Sequence, residues 1–296
     1  MPACQVEKGD FGRAAPIGTV LAEATMSLSL PPEILDLIVD HLHDEPTALR
    51  ACCLVSKSWI PRTRIHLFDR VEFRLTGSYL ESWMEAFPDP SNSPAHYVRI
   101  LHLTHFKIVT VAISDALPWV HSFNNIVDLR VVTVGQHDYH VSFAQFRGIS
   151  PTLKSLRLFY SFAPLSEVLD LICSFPLLED LSLCSVQQPY TKENADEWND
   201  TSTSPKLTGS LLLSGSNRNI TRKLLDLPGG LRFSKIRVFC AIGGSDLAKE
   251  LVSVCSDTLE SLCVEFYRGA SSTSSVADQY LIASRRCALA CGAAIT

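Results

Sequence analysis

Paired imidazoles are the first side chains in this chain whose type and spacing suggest chemistry. His102-x-x-His105 and His137-x-x-His140 each offer two nitrogens to a cation, yet neither pair has cysteines or acids at a spacing that would complete a closed zinc site. The ten cysteines contain no Cys-x-x-Cys, and the close pairs are Cys52-Cys53 and Cys287 with Cys291. Asp10-Phe11-Gly12 has the form of a magnesium-holding tripeptide of phosphoryl-transfer enzymes, but the glycine-rich loop, strand lysine and catalytic loop that such chemistry requires are missing. No phosphate loop, dinucleotide fingerprint or nucleophile elbow is present either. The chain therefore reads as non-catalytic, without cofactor or metal.

What remains is the chemistry of recognition. Arg130, Arg157 and Arg237 are planar, forked donors suited to carboxylates or phosphates. Each occupies the middle of an apolar-x-apolar triplet, as do His102, Ser182, Leu212 and Cys263. The triplets begin at Val71, Leu101, Leu129, Leu156, Leu181, Leu211, Ile236 and Leu262. That spacing is in the range of repeat proteins. Most have an apolar residue three places earlier: Val98, Ile126, Leu153, Leu178, Phe233 and Leu259.

Alternation within the triplets is a strand signal, whereas Leu80, Trp83, Met84, Phe87, then Leu165, Val168, Leu169, Ile172, and Leu247, Leu251, Val254 recur at helical spacing. Neither a strand with one apolar face nor a helix with one apolar stripe can bury itself alone, but stacked units share a continuous core. The expected arrangement over 70–268 is a solenoid of parallel strands and helices. Its middle-of-triplet residues point outward together. His102, Arg130, Arg157, Leu212 and Arg237 are the candidate contacts to a client, with Leu212, Phe159 and Phe239 as apolar anchors among the charges. The unit at 204–215 lacks the clean upstream leucine register, and an α/β domain with strands on a loose period is the alternative.

Upstream, 27–69 reads as three short helices. Pro31 and Pro32 suit a first turn, where missing N–H groups cost nothing, and Glu33 complements the helix dipole. Ile34, Leu37, Ile38 and Leu42 then form one apolar face, ending near His43. Asp44-Glu45-Pro46-Thr47 restarts the chain into a helix carrying Leu49, Cys52, Cys53 and Leu54. After a turn at 56–58, Pro61 opens a third helix to Phe68, with Ile65 and Phe68 inward and Arg62, Arg64 and His66 mostly solvated. So small a module gains by packing on a partner.

Leu30-Pro31, Glu33-Ile34, Leu42, Leu49, Leu54-Val55-Ser56-Lys57, Trp59 and Leu67-Phe68 resemble the F-box motif in order and spacing. Ser56 stands where the family often has Cys, and Ser58 where it often has a basic residue. The resemblance covers 27–69. It implies a helical module that binds the Skp adaptor, and through it a cullin, using Leu30, Pro31, Ile34, Leu35, Leu54, Val55 and Trp59. Pro176-Leu177-Leu178-Glu179-Asp180-Leu181-Ser182-Leu183 and Asp257-Thr258-Leu259-Glu260-Ser261-Leu262-Cys263-Val264 likewise resemble the leucine-rich-repeat family. Together the resemblances imply a substrate-recognition adaptor of an SCF-type ubiquitin ligase. The alternative is a repeat scaffold uncoupled from ubiquitination.

Composition bounds the partners. Of 296 residues 46% are hydrophobic and 19% charged, which excludes a mainly disordered chain. A net charge of −5 gives no reason to expect nucleic acid, and no apolar run is long enough to span a bilayer. The segment 1–26 reads as a flexible tail without a signal-peptide core, so reduced cysteines, a cytoplasmic or nuclear setting and no homo-oligomer are expected. Gln187 to Pro205, with Glu193, Asp196, Glu197 and Asp200, reads as an acidic insertion, and 269–296 as a linker with a tail or cap.

Overall fold

The computed structural model describes residues 30–74, 79–104, 119–132, 143–159, 163–186, 205–214, 218–227, 230–241 and 245–267. The tail at 1–26, Asp10-Phe11-Gly12, His105, His137, His140, the acidic stretch up to its last residue Pro205, and 269–296 with Cys287 and Cys291 lie outside the described residues.

Proline placement explains where the first helices begin. Pro32 occupies the first turn of α1 (Pro32–His41) and Pro46 that of α2 (Pro46–Val55). Helix α2 stops because Ser56 is extended, at φ −152° and ψ 142°, and its Oγ accepts the Ser58 N–H at 3.3 Å. A 3-10 turn, Lys57–Trp59, leads into α3 (Ile60–Phe68). Inside the module sit Val39, Leu49, Cys52 and Thr63, whose hydroxyl donates to the Trp59 carbonyl.

One expectation for this module is corrected. Arg62 and His66 are not left to solvent: Arg62 Nε donates to Asp40 Oδ1 at 2.6 Å, Arg62 Nη2 to Asp40 Oδ2 at 2.5 Å, and His66 Nε2 lies 2.7 Å from Asp40 Oδ1. The carboxylate of α1 thus ties down α3 over a gap of more than 20 residues in sequence. The apolar stripe Ile34, Leu37 and Ile38 lies outside, while Val39 faces the interior, because α1 turns its Val39–Asp40 side toward α3.

Only Asp69 separates α3 from the first strand. Phe68, Phe73, Phe87 and Phe123 surround Trp83, with ring centroids 5.0–6.0 Å from it and Phe68 and Phe73 edge-on. This aromatic knot welds the helical module to the sheet through α4 (Tyr79–Ala86).

Among the described residues eight strands follow in one parallel sheet, in sequence order: β1 Arg70–Arg74, β2 Ile100–Thr104, β3 Asp128–Val132, β4 Ser155–Phe159, β5 Asp180–Cys184, β6 Ser210–Ser214, β7 Lys235–Ala241 and β8 Ser261–Tyr267. Every triplet start predicted from the sequence falls in one row of the register, from Val71↔Leu101 through Leu156↔Leu181 to Ile236↔Leu262. The upstream residues Val98, Ile126, Leu153, Leu178 and Phe233 are fully buried. They pack with the inward rows of the strands and with α5 (Leu165–Cys173), α6 (Arg218–Leu225) and α7 (Ser245–Val254) in one continuous core. Among the described residues a helix follows each of β1, β4, β6 and β7. Ahead of β4 the described residues carry instead the 3-10 turn Phe143–Phe146. The chain is α/β, with the sequential parallel order that a solenoid of stacked units requires.

A backbone device repeats between units. The carbonyl just before each strand accepts two consecutive amides of the next unit: Asp69 O from Arg99 and Ile100, Arg99 O from Val127 and Asp128, Val127 O from Lys154 and Ser155, Lys154 O from Glu179 and Asp180. At β6 the pattern breaks. Glu179 O takes only the Gly209 amide, at 3.1 Å, while the Ser210 amide goes to Asp180 Oδ1 at 2.6 Å. This is the unit whose leucine register was irregular, and its buried upstream residue is Leu207, four before Leu211 instead of three.

Candidate functional site

Two surfaces hold side chains that the fold leaves available. The first lies on the helical module. Leu30, Ile34, Leu37 and Ile38 follow one stripe at helical spacing and are 49, 42, 55 and 40% exposed, while Leu54 and Val55, at the end of α2, are 89 and 69% exposed. Pro31 is exposed, whereas Leu35 and Trp59 are half-buried. Water contact at such side chains is unfavourable by about 25 cal/mol per Å² of apolar area, which a partner's surface can recover. The surface is held in shape from below. Hydrogen bonds from Arg62 and then His66 keep the Asp40 carboxyl well below the usual carboxylate range, and the same contact raises the Arg62 guanidinium.

The second surface is the face of the sheet opposite the helices. Alternation places positions one, three and five of each strand there. The register aligns Glu72, His102, Arg130, Arg157, Ser182, Leu212, Arg237 and Cys263 in one row across all eight strands. The expected client contacts thus share a face, but their settings differ. Arg157 pairs with Asp128 at 3.0 Å, and the Arg130 guanidinium lies over the Phe159 ring, 4.8 Å from its centroid. Burial, then the charges of Arg130, Arg70 and Arg157, push His102 down to about 4, so its ring is neutral at ordinary pH. Burial also raises the Asp128 carboxyl against the opposing pull of Arg157 and Arg130. Asp128 Oδ1 and Arg130 Nε are buried without a hydrogen-bond partner.

Leu212 is not a free apolar anchor. It is 9% exposed and packs with Phe159, Cys184 and Phe239 in a second, smaller core on this face, against which Val132 rests. The anchors expected among the charges are spent on one another, because adjacent parallel strands bring equivalent positions side by side.

Across β4–β8 the same face opens into a groove of about 370 Å³. Its charged lining is Arg157, Asp180, Lys235 and Arg237, and its hydroxyls are Ser155, Ser182, Ser210 and Ser261. Ser155, Asp180, Ser210 and Ser261 were missed in the sequence, although each stands two residues ahead of a predicted outward position and so shares its face. Asp180 Oδ1 accepts both the N–H and the hydroxyl of Ser210, at 2.6 Å each, which fixes that wall.

Among the described residues no cluster of three or more His, Cys, Asp or Glu is placed to hold a metal ion, and no helix is long and apolar enough to cross a membrane. No protein-family model matches this chain, and no curated protein matches it as a relative.

Proposed function

We propose that this protein is the substrate-recognition subunit of an SCF-type ubiquitin ligase, its F-box holding the Skp adaptor and its leucine-rich-repeat-like sheet holding a client protein. One observation carries the reading. Of the residues at which the F-box resemblance implies adaptor contact, Leu30, Ile34, Leu54 and Val55 are large, apolar and exposed, a placement that a self-sufficient helical core has no reason to adopt.

Continuity between the two parts supports the same reading. With Asp69 alone between α3 and β1, and Trp83 knotted among Phe68, Phe73, Phe87 and Phe123, the docking helices and the sheet keep a constant separation. A subunit of this kind performs no bond chemistry. It works by tethering, which brings client lysines to effective concentrations on the order of mM near the ubiquitin-charged enzyme.

The test is capture of the Skp adaptor by the purified full-length chain, beside Leu30→Ala/Pro31→Ala and Trp59→Ala variants. Capture by the wild-type chain that the folded variants lose supports the reading. A folded wild-type chain that captures no adaptor overturns it and leaves an interaction scaffold uncoupled from ubiquitination.

A further inference from the structure

The groove on the open face differs in charge from the molecule that carries it. The whole chain has a net charge of −5. Three cations, Arg157, Lys235 and Arg237, line the groove against the single carboxylate of Asp180, which leaves it locally positive. Their availability is unequal. Arg157 is held by Asp128, and Asp180 is occupied by Ser210. Lys235 and Arg237 are exposed, and among the described residues no carboxylate lies within ion-pairing distance of either.

Shape narrows the ligand further. The groove crosses five strands, a span of about 19 Å at the usual interstrand spacing. An extended chain covers that distance with about six residues. Lys235 and Arg237 stand two positions apart on β7, so their side chains leave the sheet about 7 Å from each other. Cations so separated suit two distinct carboxylates better than one phosphate, which calls for donors converging on a point. Along the floor, Ser182 and Ser261 supply hydroxyls that both donate and accept, and such groups can pair with the amides and carbonyls of an extended backbone.

We propose that this groove binds an extended acidic peptide segment, with two Asp or Glu carboxylates received by Lys235 and Arg237. In taking the peptide to belong to a client, the inference rests on the adaptor reading; the binding itself does not.

A random nonapeptide library that includes phosphoserine among its building blocks, presented to the full-length wild-type chain, tests it. The expected result is enrichment of Asp and Glu among retained peptides. A selected peptide should then bind a Lys235→Gln/Arg237→Gln variant about tenfold or more weakly, the effect of removing charge-assisted hydrogen bonds. A Lys154→Gln variant, altered at an exposed pair with Glu179 outside the groove, should bind it as the wild type does. Enrichment of phosphoserine in place of carboxylates overturns the proposal, as does retention of nothing by a folded chain or undiminished binding by the double variant. Adaptor capture by the same preparation separates the two readings: acidic enrichment without capture leaves the groove standing and removes the ligase.

Discussion

Asp40 of α1 and Arg62 of α3 meet through two parallel hydrogen bonds, Nε to Oδ1 at 2.6 Å and Nη2 to Oδ2 at 2.5 Å, and His66 closes on the same carboxylate at 2.7 Å. The contact lies beneath the helix that presents Ile34, Leu37 and Ile38 to solvent. It therefore couples the fold of a small module to the surface through which that module would dock.

Acid should loosen this module below about pH 4. Because the folded Asp40 carboxyl is depressed, its contribution to stability is fully present above the unfolded value of about 3.9 and is lost as pH falls from there toward the lower folded value. Asp40→Asn should destabilise the wild-type fold at neutral pH, and the difference between the two chains should shrink below about pH 4. Urea denaturation at neutral and acidic pH measures it. A difference independent of pH would show that the charge is immaterial.

Exposed and buried apolar residues of the module should separate stability from docking. Leu49→Ala, at a fully buried position, should cost about 2–5 kcal/mol. Ile34→Ala, at a side chain 42% exposed, should change stability by no more than about 0.5 kcal/mol. Yet only Ile34→Ala should weaken adaptor capture in a chain whose melting temperature is intact. Equal effects on both readouts would make Ile34 a core residue.

Gly209 marks the irregular joint before β6. A Cβ there would stand 2.4 Å from Asp180 Oδ1 and 3.1 Å from the Glu179 carbonyl oxygen. The carboxylate would have to swing away and give up the N–H and hydroxyl of Ser210. Gly209→Ala should therefore cost about 1–3 kcal/mol, the net contribution of hydrogen bonds to a charged group. Chemical denaturation checks the size, and a neutral substitution would show that the Asp180 contact contributes nothing.

His102 should titrate far below an ordinary histidine. Its folded value of about 4 lies under the unfolded value near 6.5, so the unfolded chain takes up a proton over that interval and the folded chain does not. Stability should accordingly fall as pH drops from about 6.5 to about 4, and His102→Gln should flatten the slope. Ring-proton NMR of the folded protein reads the value directly. A midpoint near 6.5 would mean that the ring is not desolvated among Arg130, Arg70 and Arg157.

The sheet was legible in the sequence because its signals are local and repeat. Each triplet carries its own alternation, and equivalent triplets must align when parallel units stack, so the row from Val71 to Leu262 and the outward row from His102 to Cys263 could be written down in advance. Helices α4, α5 and α7 announced themselves by period. Helix α6, with Arg218, Asn219, Thr221, Arg222 and Lys223 among its eight residues, shows too short an apolar pattern to be seen.

Sequence alone thus determined the parallel order of units, the division of each strand into inward and outward residues, and the proline-led starts of α1 and α2, since all of these follow from chain periodicity and backbone restriction within a few residues. Tertiary structure decided which outward residues remain free. Leu212 is consumed by Phe159 and Phe239, Arg157 by Asp128, and Asp180 by Ser210, whereas Lys235 and Arg237 keep their charges open to the groove. It also decided that Asp40 would bind Arg62. Such pairings depend on distances between residues remote in sequence, and those distances exist only once the core has closed.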